Sequence, residues 1–333
     1  MRELAQTWNV DQLAQYDRQA WDGIQRWQNS SRRRRGIIPD GARNGAVQIG
    51  QGAARIWKGA PGTSLLAETV RNVLEGGNQA IADAAAASLQ RERILEAVRK
   101  TGNPAEELAD LRSIDLEILD KICPDLNVRY AAASAATGAA AGFVAGGGVA
   151  AVAGTGGVAA APGALVVSAA IAGDVLATLA LAARVVTHYA GYYGYDTRKE
   201  EEKAVILAVI GVGVAGRGAA KQAAMIHVRQ AAMMVARRAA WKELSEEAIV
   251  LVVQSIFAKL SLHLTKQKLG QAIPVAGIVI GAGFNYDLMR KVGIAASYAY
   301  RERFIIEKYD LDGPDSELNY TDLIDIDDHE LTK

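Results

Sequence analysis

The chain has 333 residues, which is enough for one large domain or two small ones with a substantial buried core. Its 37 Lys and Arg balance 37 Asp and Glu, so the net charge carries no signature of nucleic-acid binding. The single cysteine, Cys123, excludes an internal disulfide framework and a cysteine-based metal cluster, and it fits a reducing cytoplasm. The abundant alanine and 33 glycines favour helices that approach closely through small side chains.

The N-terminal segment combines a predicted amphipathic helix with a basic block. Apolar side chains recur at three- and four-residue steps over 8–28, which predicts one helix there. A run of arginines follows in a linker, without an aromatic stacking platform or a reading helix for nucleic acid. We interpret the combination as attraction to an anionic membrane surface, with a solvated basic linker as the alternative. The residues expected at that surface are Trp21, Trp27, Arg32, Arg33, Arg34 and Arg35.

Further helices are predicted between the basic block and residue 125. Three of them are expected over 46–58, 64–83 and 86–100. Asn103 and Pro104 then offer an N-cap followed by a proline at the first helical position. This pattern predicts a helix that runs to about Ile122 and is ended by Pro124.

An apolar helical hairpin is predicted over 130–193. The chain has no charged side chain from Tyr130 to Gly173, and Pro162 and Gly163 are expected to turn it between the two arms. Small residues at every fourth position leave one helix face without bulky side chains, so that another helix can pack closely against it. The glycines among these residues are Gly138, Gly142, Gly146 and Gly154. Each arm is long enough to cross a bilayer, so a hairpin buried in protein and a membrane-associating hairpin both stay open.

The glycines Gly211, Gly213 and Gly216 follow an apolar run at the spacing of a dinucleotide-binding loop. However, Thr197 and Glu200 upstream have the spacing of a helix capping box, so a helix would occupy the position of the strand that this loop requires. The acid expected about 20 residues further on is also missing. We therefore interpret these glycines as packing residues inside a helix, and we expect no cofactor.

The stretch Tyr193-Gly194-Tyr195-Asp196, after the glycine-rich hairpin, resembles a motif of the EcsC protein family of bacteria. The stretches 20–27, 268–285 and 300–304 resemble the family's first helix, its closing motif and its C-terminal helix. The resemblance covers about residues 8–308 and adds Gly277 and Gly281 to the predicted packing glycines. It implies an architecture and an envelope-related context, since the family's namesake is encoded beside the subunits of an ABC exporter. Its biochemical role is unassigned, and a membrane protein or ABC transporter is a candidate partner.

A polar groove is the candidate binding site. Asp174 and Arg184 lie about 80° apart around one helix, and His188 follows one turn beyond Arg184. Such a groove would bind a lipid headgroup or a partner loop; the alternative is that each polar side chain is satisfied within the core. The histidines lack metal-ligand spacing, and neither a nucleophile elbow nor a phosphate loop is present. The candidate groove residues are Asp174, Arg184, His188, Tyr195, Asp196 and Asn285.

These observations predict an all-α multi-helix bundle with long Gly/Ala-packed central helices and an apolar helical hairpin. We expect an N-terminal helical region over 1–125, a helical core over 126–309 and a flexible acidic tail over 310–333. The leading functional hypothesis is a non-enzymatic accessory protein, peripheral to or partly inserted in the inner membrane. A soluble helical binding module, a glycine-zipper pore-forming or membrane-remodelling protein, and an enzyme with a non-standard site are the alternatives. No metal, cofactor or nucleic acid is expected.

Overall fold

The computed structural model describes residues 10–30, 78–134, 160–215, 219–236 and 276–311. Within these ranges the chain is helical and contains no strand, so the predicted all-α fold is confirmed. The elements are α1 (Gln15–Gln28), α2 (Asn78–Ala87), α3 (Arg91–Arg99), a 3₁₀ helix (Leu108–Ser113), α4 (Leu116–Ile122), α5 (126–134), α6 (Ala160–Tyr192), α7 (Glu200–Val214), α8 (Ala219–Ala236) and α9 (Ala276–Lys308).

Helix α7 lies at the centre of the described fold. Every residue over 202–210 is buried, and from Ala204 onward this run is apolar on all sides of the helix. The neighbours of α7 are α6, α8 and α9, and the long helices α6 and α9 also pack against each other. On the outside, α2 packs on α6, and α1 packs on α9.

A close contact between α7 and α9 involves one of the glycines after the apolar run. A Cβ added to Gly213 would stand 2.6 Å from the Cα and 2.9 Å from the backbone nitrogen of Val292 in α9. Real side chains do not approach a neighbouring backbone so closely, so glycine alone fits between the two helices. The segment 204–210, which a dinucleotide-binding fold would need as a strand, is part of α7.

The single helix predicted from Asn103 to Ile122 is wrong, because the chain forms the 3₁₀ helix and α4 with extended backbone between them. The Asp110 carboxylate accepts hydrogen bonds from the backbone N–H groups of Glu106 at 2.8 Å and Glu107 at 2.9 Å. These bonds cap the N-terminal end of the 3₁₀ helix, which therefore begins four residues after Pro104.

The predicted capping box before α7 is also wrong. α7 begins at Glu200 with Lys199 at the N-cap, and among the described residues no side chain caps it. The hydroxyl of Thr197 is buried and has no hydrogen-bond partner in this part of the chain. Instead, the backbone N–H of Arg198 donates to the Asp196 carboxylate at 3.2 Å, so an aspartate turn precedes the helix.

Two other predicted boundaries move toward the C-terminus. The helix predicted from residue 8 begins at Gln15, after a turn in which the N–H of Leu13 donates to the carbonyl of Val10 at 3.3 Å. The helix predicted over 86–100 begins at Arg91. The hydroxyl of Ser88 donates to the carbonyl of Ala85 at 2.6 Å, and this bond ends α2 shortly before α3 begins.

The described part of the predicted hairpin begins its second arm earlier than expected. α6 starts at Ala160, so Pro162 and Gly163 lie in its first turn and do not turn the chain. In the described ranges, none of the helices combines the length and the apolar character needed to cross a membrane. The predicted packing glycines Gly138, Gly142, Gly146 and Gly154 lie outside the described residues. Gly277 and Gly281 lie within α9, and their packing role stays a prediction.

The described helices share one cluster of buried apolar side chains. It contains Trp21 and Ile24 from α1 together with Ile210 from α7 and Phe304 from α9. The N-terminal helix and the predicted core region therefore contribute to a common core. The predicted division at residue 125 stays a prediction, and the predicted acidic tail from residue 312 onward lies outside the described residues.

Candidate functional site

The turn after α6 positions two tyrosines of the Tyr-Gly-Tyr-Asp stretch. Gly194 has φ of 88°, a left-handed conformation that favours glycine. The N–H of Tyr195 donates to the carbonyl of Ala190 at 2.9 Å, and the N–H of Gly194 donates to that of Gly191 at 3.1 Å. This pattern is a Schellman C-cap. A Cβ on Gly194 would lie 2.8 Å from the carbonyl oxygen of Leu108, so glycine is required for packing as well.

The first tyrosine of the turn belongs to a cluster around one carboxylate. Tyr193 donates its hydroxyl to Asp120 at 2.7 Å, and the Nε of Arg301 donates to the same oxygen at 2.8 Å. Tyr16 donates to the other carboxylate oxygen at 2.8 Å. Burial, followed by the bond to Asp120, raises the pKa of Tyr16 to about 12. Asp120 therefore joins α1, α4, α9 and the turn after α6.

The second tyrosine faces another buried ion pair. Two guanidinium nitrogens of Arg303 donate to the two carboxylate oxygens of Glu202 at 2.8 and 2.9 Å, and its Nε donates to Glu307 at 2.8 Å. The guanidinium carbon lies 3.9 Å from the ring centre of Tyr195, whose hydroxyl donates to Glu307 at 3.2 Å. Burial is the main cause that raises the pKa of Tyr195 well above its usual range.

A third pair involves the residue between the two arginines. Glu302 accepts hydrogen bonds from Arg229 of α8 at 3.0 Å and from Gln28 of α1 at 2.9 Å. Consecutive helical residues point about 100° apart, so these three successive charges, of which Glu302 and Arg303 are buried and Arg301 is half-buried, require neighbours on three sides of α9. The α9 polar cluster consists of Arg301, Glu302, Arg303 and Glu307 with the partners Asp120, Arg229, Glu202 and Tyr195.

This geometry joins two stretches that resembled one family at the level of sequence, the Tyr-Gly-Tyr-Asp turn and the C-terminal Tyr-Arg-Glu-Arg-Phe helix. The model of the EcsC protein family matches residues 62–305. The chain belongs to the EcsC protein family. Comparison with curated proteins and with solved structures found no match.

In this EcsC protein, His188 of the predicted groove makes a polar contact that joins α6 to α5 and to the end of α2. Arg184, another residue of the predicted groove, lies beside this contact. The Nδ1 of His188 lies 3.0 Å from the hydroxyl of Tyr130, and its Nε2 lies 3.2 Å from the carbonyl oxygen of Ser88. A carbonyl only accepts, so we assign the proton to Nε2, and Nδ1 accepts from Tyr130. Burial raises the pKa of Tyr130, and the charge of Arg184, which is exposed beside this contact, opposes that shift.

We expect the His188 contact to make the folded state sensitive to mild acid. Burial is the main cause that lowers the pKa of His188 below 6.5. Below that pH the unfolded chain binds a proton at this position that the folded chain does not bind. The free energy of unfolding should therefore fall by up to about 1.4 kcal/mol per pH unit until the folded pKa is reached.

Urea unfolding of the wild type and of His188→Gln, compared between about pH 7.5 and pH 5, measures this effect. The difference in stability between the two proteins should shrink as the pH falls, because the variant lacks the titrating group. His227→Gln serves as the histidine control. Parallel pH profiles for the wild type and His188→Gln would contradict the expectation.

The other groove residues do not join the His188 contact through any bond that the structure describes. Asp196 pairs with Arg198 at 2.8 Å and with Arg91 at 3.5 Å, at the surface end of the turn. Tyr195 belongs to the α9 polar cluster. Asn285 is buried in α9, where its backbone carbonyl accepts from the hydroxyl of Ser134 at 3.0 Å. Asp174 lies within α6, and its side chain lies outside the described residues. The binding role of these residues stays a prediction.

The structure places Trp21, one of the two tryptophans predicted at a membrane surface, in the core of the described fold. Trp21 is only 4% exposed, because the apolar face of α1 that carries it packs into the core. Trp27 is half-buried and stacks on Tyr298 with ring centres 4.7 Å apart. The four predicted surface arginines, 32–35, lie outside the described residues.

Sequence reasoning missed most of the α9 polar cluster, including Asp120, Glu202 and Arg229. The available signal was the charged run Arg301-Glu302-Arg303 inside a helix that is otherwise rich in apolar residues. Among the described residues, no group of His, Cys, Asp and Glu is arranged to hold a metal ion. An open surface depression lies beside α3, and it is lined by Leu89, Gln90, Arg91, Glu92, Arg93, Leu95 and Glu106.

Proposed function

We propose that this EcsC protein is a non-enzymatic accessory protein that associates peripherally with the inner membrane and serves a transport or envelope process. The observation that carries the proposal is the position of the basic block directly after α1 in the sequence, where the C-terminal end of α1 contacts α8. Lys221 at the start of α8 donates to the carbonyls of Trp27 and Ser30, and the Gln222 amide donates to Asn29 at 2.9 Å. The sequence places Arg32–Arg35 two residues after this anchored end.

Four adjacent arginines that follow α1 in the sequence support attraction to anionic headgroups, because each cation near such a surface adds about 1 kcal/mol. Membership of the EcsC family and the helical architecture are compatible with an accessory role. The absence of catalysis is part of the proposal. It is supported by the engagement of the motif residues Tyr193, Tyr195 and Arg303 in bonds that hold helices together.

A soluble helical binding module is the second candidate, and the open depression beside α3 favours it. That depression combines the apolar side chains of Leu89 and Leu95 with charged groups, a mixture that suits a partner peptide or loop. The third candidate, a glycine-zipper protein that forms pores or remodels membranes, depends on Gly138–Gly154, outside the described residues.

Cell fractionation followed by a carbonate wash separates the candidates. A peripheral protein should sediment with membranes at low ionic strength and should be released by carbonate. Retention after the wash would contradict peripheral association and favour an inserted hairpin. A protein found entirely in the soluble fraction at low ionic strength would favour the binding module.

A further inference from the structure

We infer that α1 and the turn that precedes it form a releasable amphipathic segment, which leaves the core and places Leu13, Trp21 and Ile24 in the surface of an anionic bilayer. The inference deepens the proposed function and rests on it. Leu13, Trp21 and Ile24 are buried against the core, while the opposite face of α1 exposes Arg18, Asp22 and Arg26. A helix with tryptophan and aliphatic residues on one face and arginine on the other suits a membrane interface once the apolar face is free.

Two buried carboxylates that α1 contacts keep a charged partner when α1 leaves. Glu302 loses Gln28 but keeps Arg229 at 3.0 Å. Asp120 loses Tyr16 but keeps Arg301 at 2.8 Å. Removing one partner from a buried charge costs most when that charge is left alone. Release of α1 therefore leaves the remaining ion pairs of the core intact.

The contacts at the start of α1 hold the docked state. Asp17 accepts from the hydroxyl of Tyr309 at 2.7 Å and from Lys308 at 3.3 Å, and Lys308 also pairs with Asp115 at 3.3 Å. These bonds are lost on release, but Lys308 retains Asp115. The single glycine of α1, Gly23, has open space where a Cβ would be, unlike Gly213 in the contact between α7 and α9. The docking of α1 thus lacks a glycine-mediated backbone contact.

At the other end of α1, release uncovers a cation. The contacts described for Lys221 all involve the C-terminal end of α1: the carbonyls of Trp27 and Ser30, the hydroxyl of Ser30 and the ring of Trp27. Burial lowers the pKa of this lysine, so it is held at some cost beside the helix end. Once α1 leaves, Lys221 is available to an anionic headgroup.

A covalent bridge between α1 and α8 tests the release. The exposed side chains of Asn29 and Gln222 contact each other at 2.9 Å, so Asn29→Cys and Gln222→Cys, in a Cys123→Ala background, are joined with a short bismaleimide. Flotation is measured with vesicles of about equal parts phosphatidylglycerol and phosphatidylcholine. The bridge should lower partitioning by about a hundredfold, the effect of withholding two or three large apolar side chains.

The matched control carries the same bridge on α3, between Glu96→Cys and Lys100→Cys, two exposed residues one turn apart. It should float like the unbridged protein. A second measurement does not depend on the α1 bridge and remains available if the bridge prevents folding. In it, a variant that retains Trp21 as its only tryptophan is mixed with vesicles that contain brominated lipid. Release predicts quenching of Trp21 fluorescence in floated protein.

The outcomes separate this inference from the proposed function. Loss of flotation in the α1-bridged protein, or quenching of Trp21, supports release. Equal flotation of bridged and unbridged protein, or unquenched Trp21 in protein that floats, overturns release and leaves peripheral binding in place. Failure of the wild type to float overturns both.

Discussion

Replacing Arg303 with methionine is expected to lower the free energy of unfolding by about 3–5 kcal/mol. The side chains of Arg303 and Glu202 are 6% and 3% exposed, and the two groups share a bidentate contact. The substitution leaves Glu202 as a buried carboxylate without its guanidinium. Methionine fills much of the volume, so the loss arises from the uncompensated charge more than from a cavity.

Urea unfolding of two further variants tests this explanation. The double variant Arg303→Met, Glu202→Gln should recover part of the loss, because it removes the lone buried charge. The matched control is Arg18→Met, which breaks an exposed pair with Asp11 and should cost less than about 1 kcal/mol. Equal midpoints for Arg303→Met and the wild type would show that the α9 polar cluster does not stabilise the fold.

Changing Arg32, Arg33, Arg34 and Arg35 to glutamine is expected to reduce partitioning onto anionic vesicles by roughly a thousandfold at low salt. Each arginine near an anionic surface contributes about 1 kcal/mol, so four contribute about 4 kcal/mol before screening. The Debye length falls from about 10 Å at 0.1 M salt to about 3 Å at 1 M. Most of the wild-type binding should therefore disappear at high salt, whereas a hairpin inserted in hydrocarbon would be indifferent to salt.

Vesicle flotation at both salt concentrations measures this effect. The matched control removes the same charge elsewhere, by changing the exposed residues Arg93, Arg99, Lys100 and Lys121 to glutamine. It should float nearly as well as the wild type, since its altered residues lie on α3 and α4. A control that loses as much binding as the arginine-block variant would show that net charge, and not this segment, drives adsorption. Flotation that is as strong at high salt as at low salt would contradict binding driven by the arginine block.

Local patterns predicted some features of the fold well. The uninterrupted apolar run over 204–210 is helical and buried on all sides, as expected for a central helix. The helix end predicted at about Ile122, before Pro124, agrees with the end of α4, although the single helix predicted before it is wrong. Helix starts were predicted less well. Asn103 and Thr197 both have capping side chains, but Asp110 and Asp196 bind the backbone N–H groups at those places instead.

The sequence showed individual charged and tyrosine side chains, but not which of them contact each other in the candidate groove or in the α9 polar cluster. The partners of these side chains come from distant parts of the chain. Arg301 lies 181 residues from Asp120, and Arg303 lies 101 residues from Glu202. His188 likewise meets Ser88 and Tyr130 instead of the other predicted groove residues.

The sequence by itself determined the all-α class and the family, because apolar periodicity, small-residue content and short motifs are properties of neighbouring residues. The tertiary structure alone decided that Trp21 faces the core and that the charges of α9 pair with three different helices. An amphipathic face has the same pattern whether protein or lipid covers it. A charged side chain inside a helix likewise does not specify its partner until the surrounding helices bring an opposite charge within hydrogen-bonding distance.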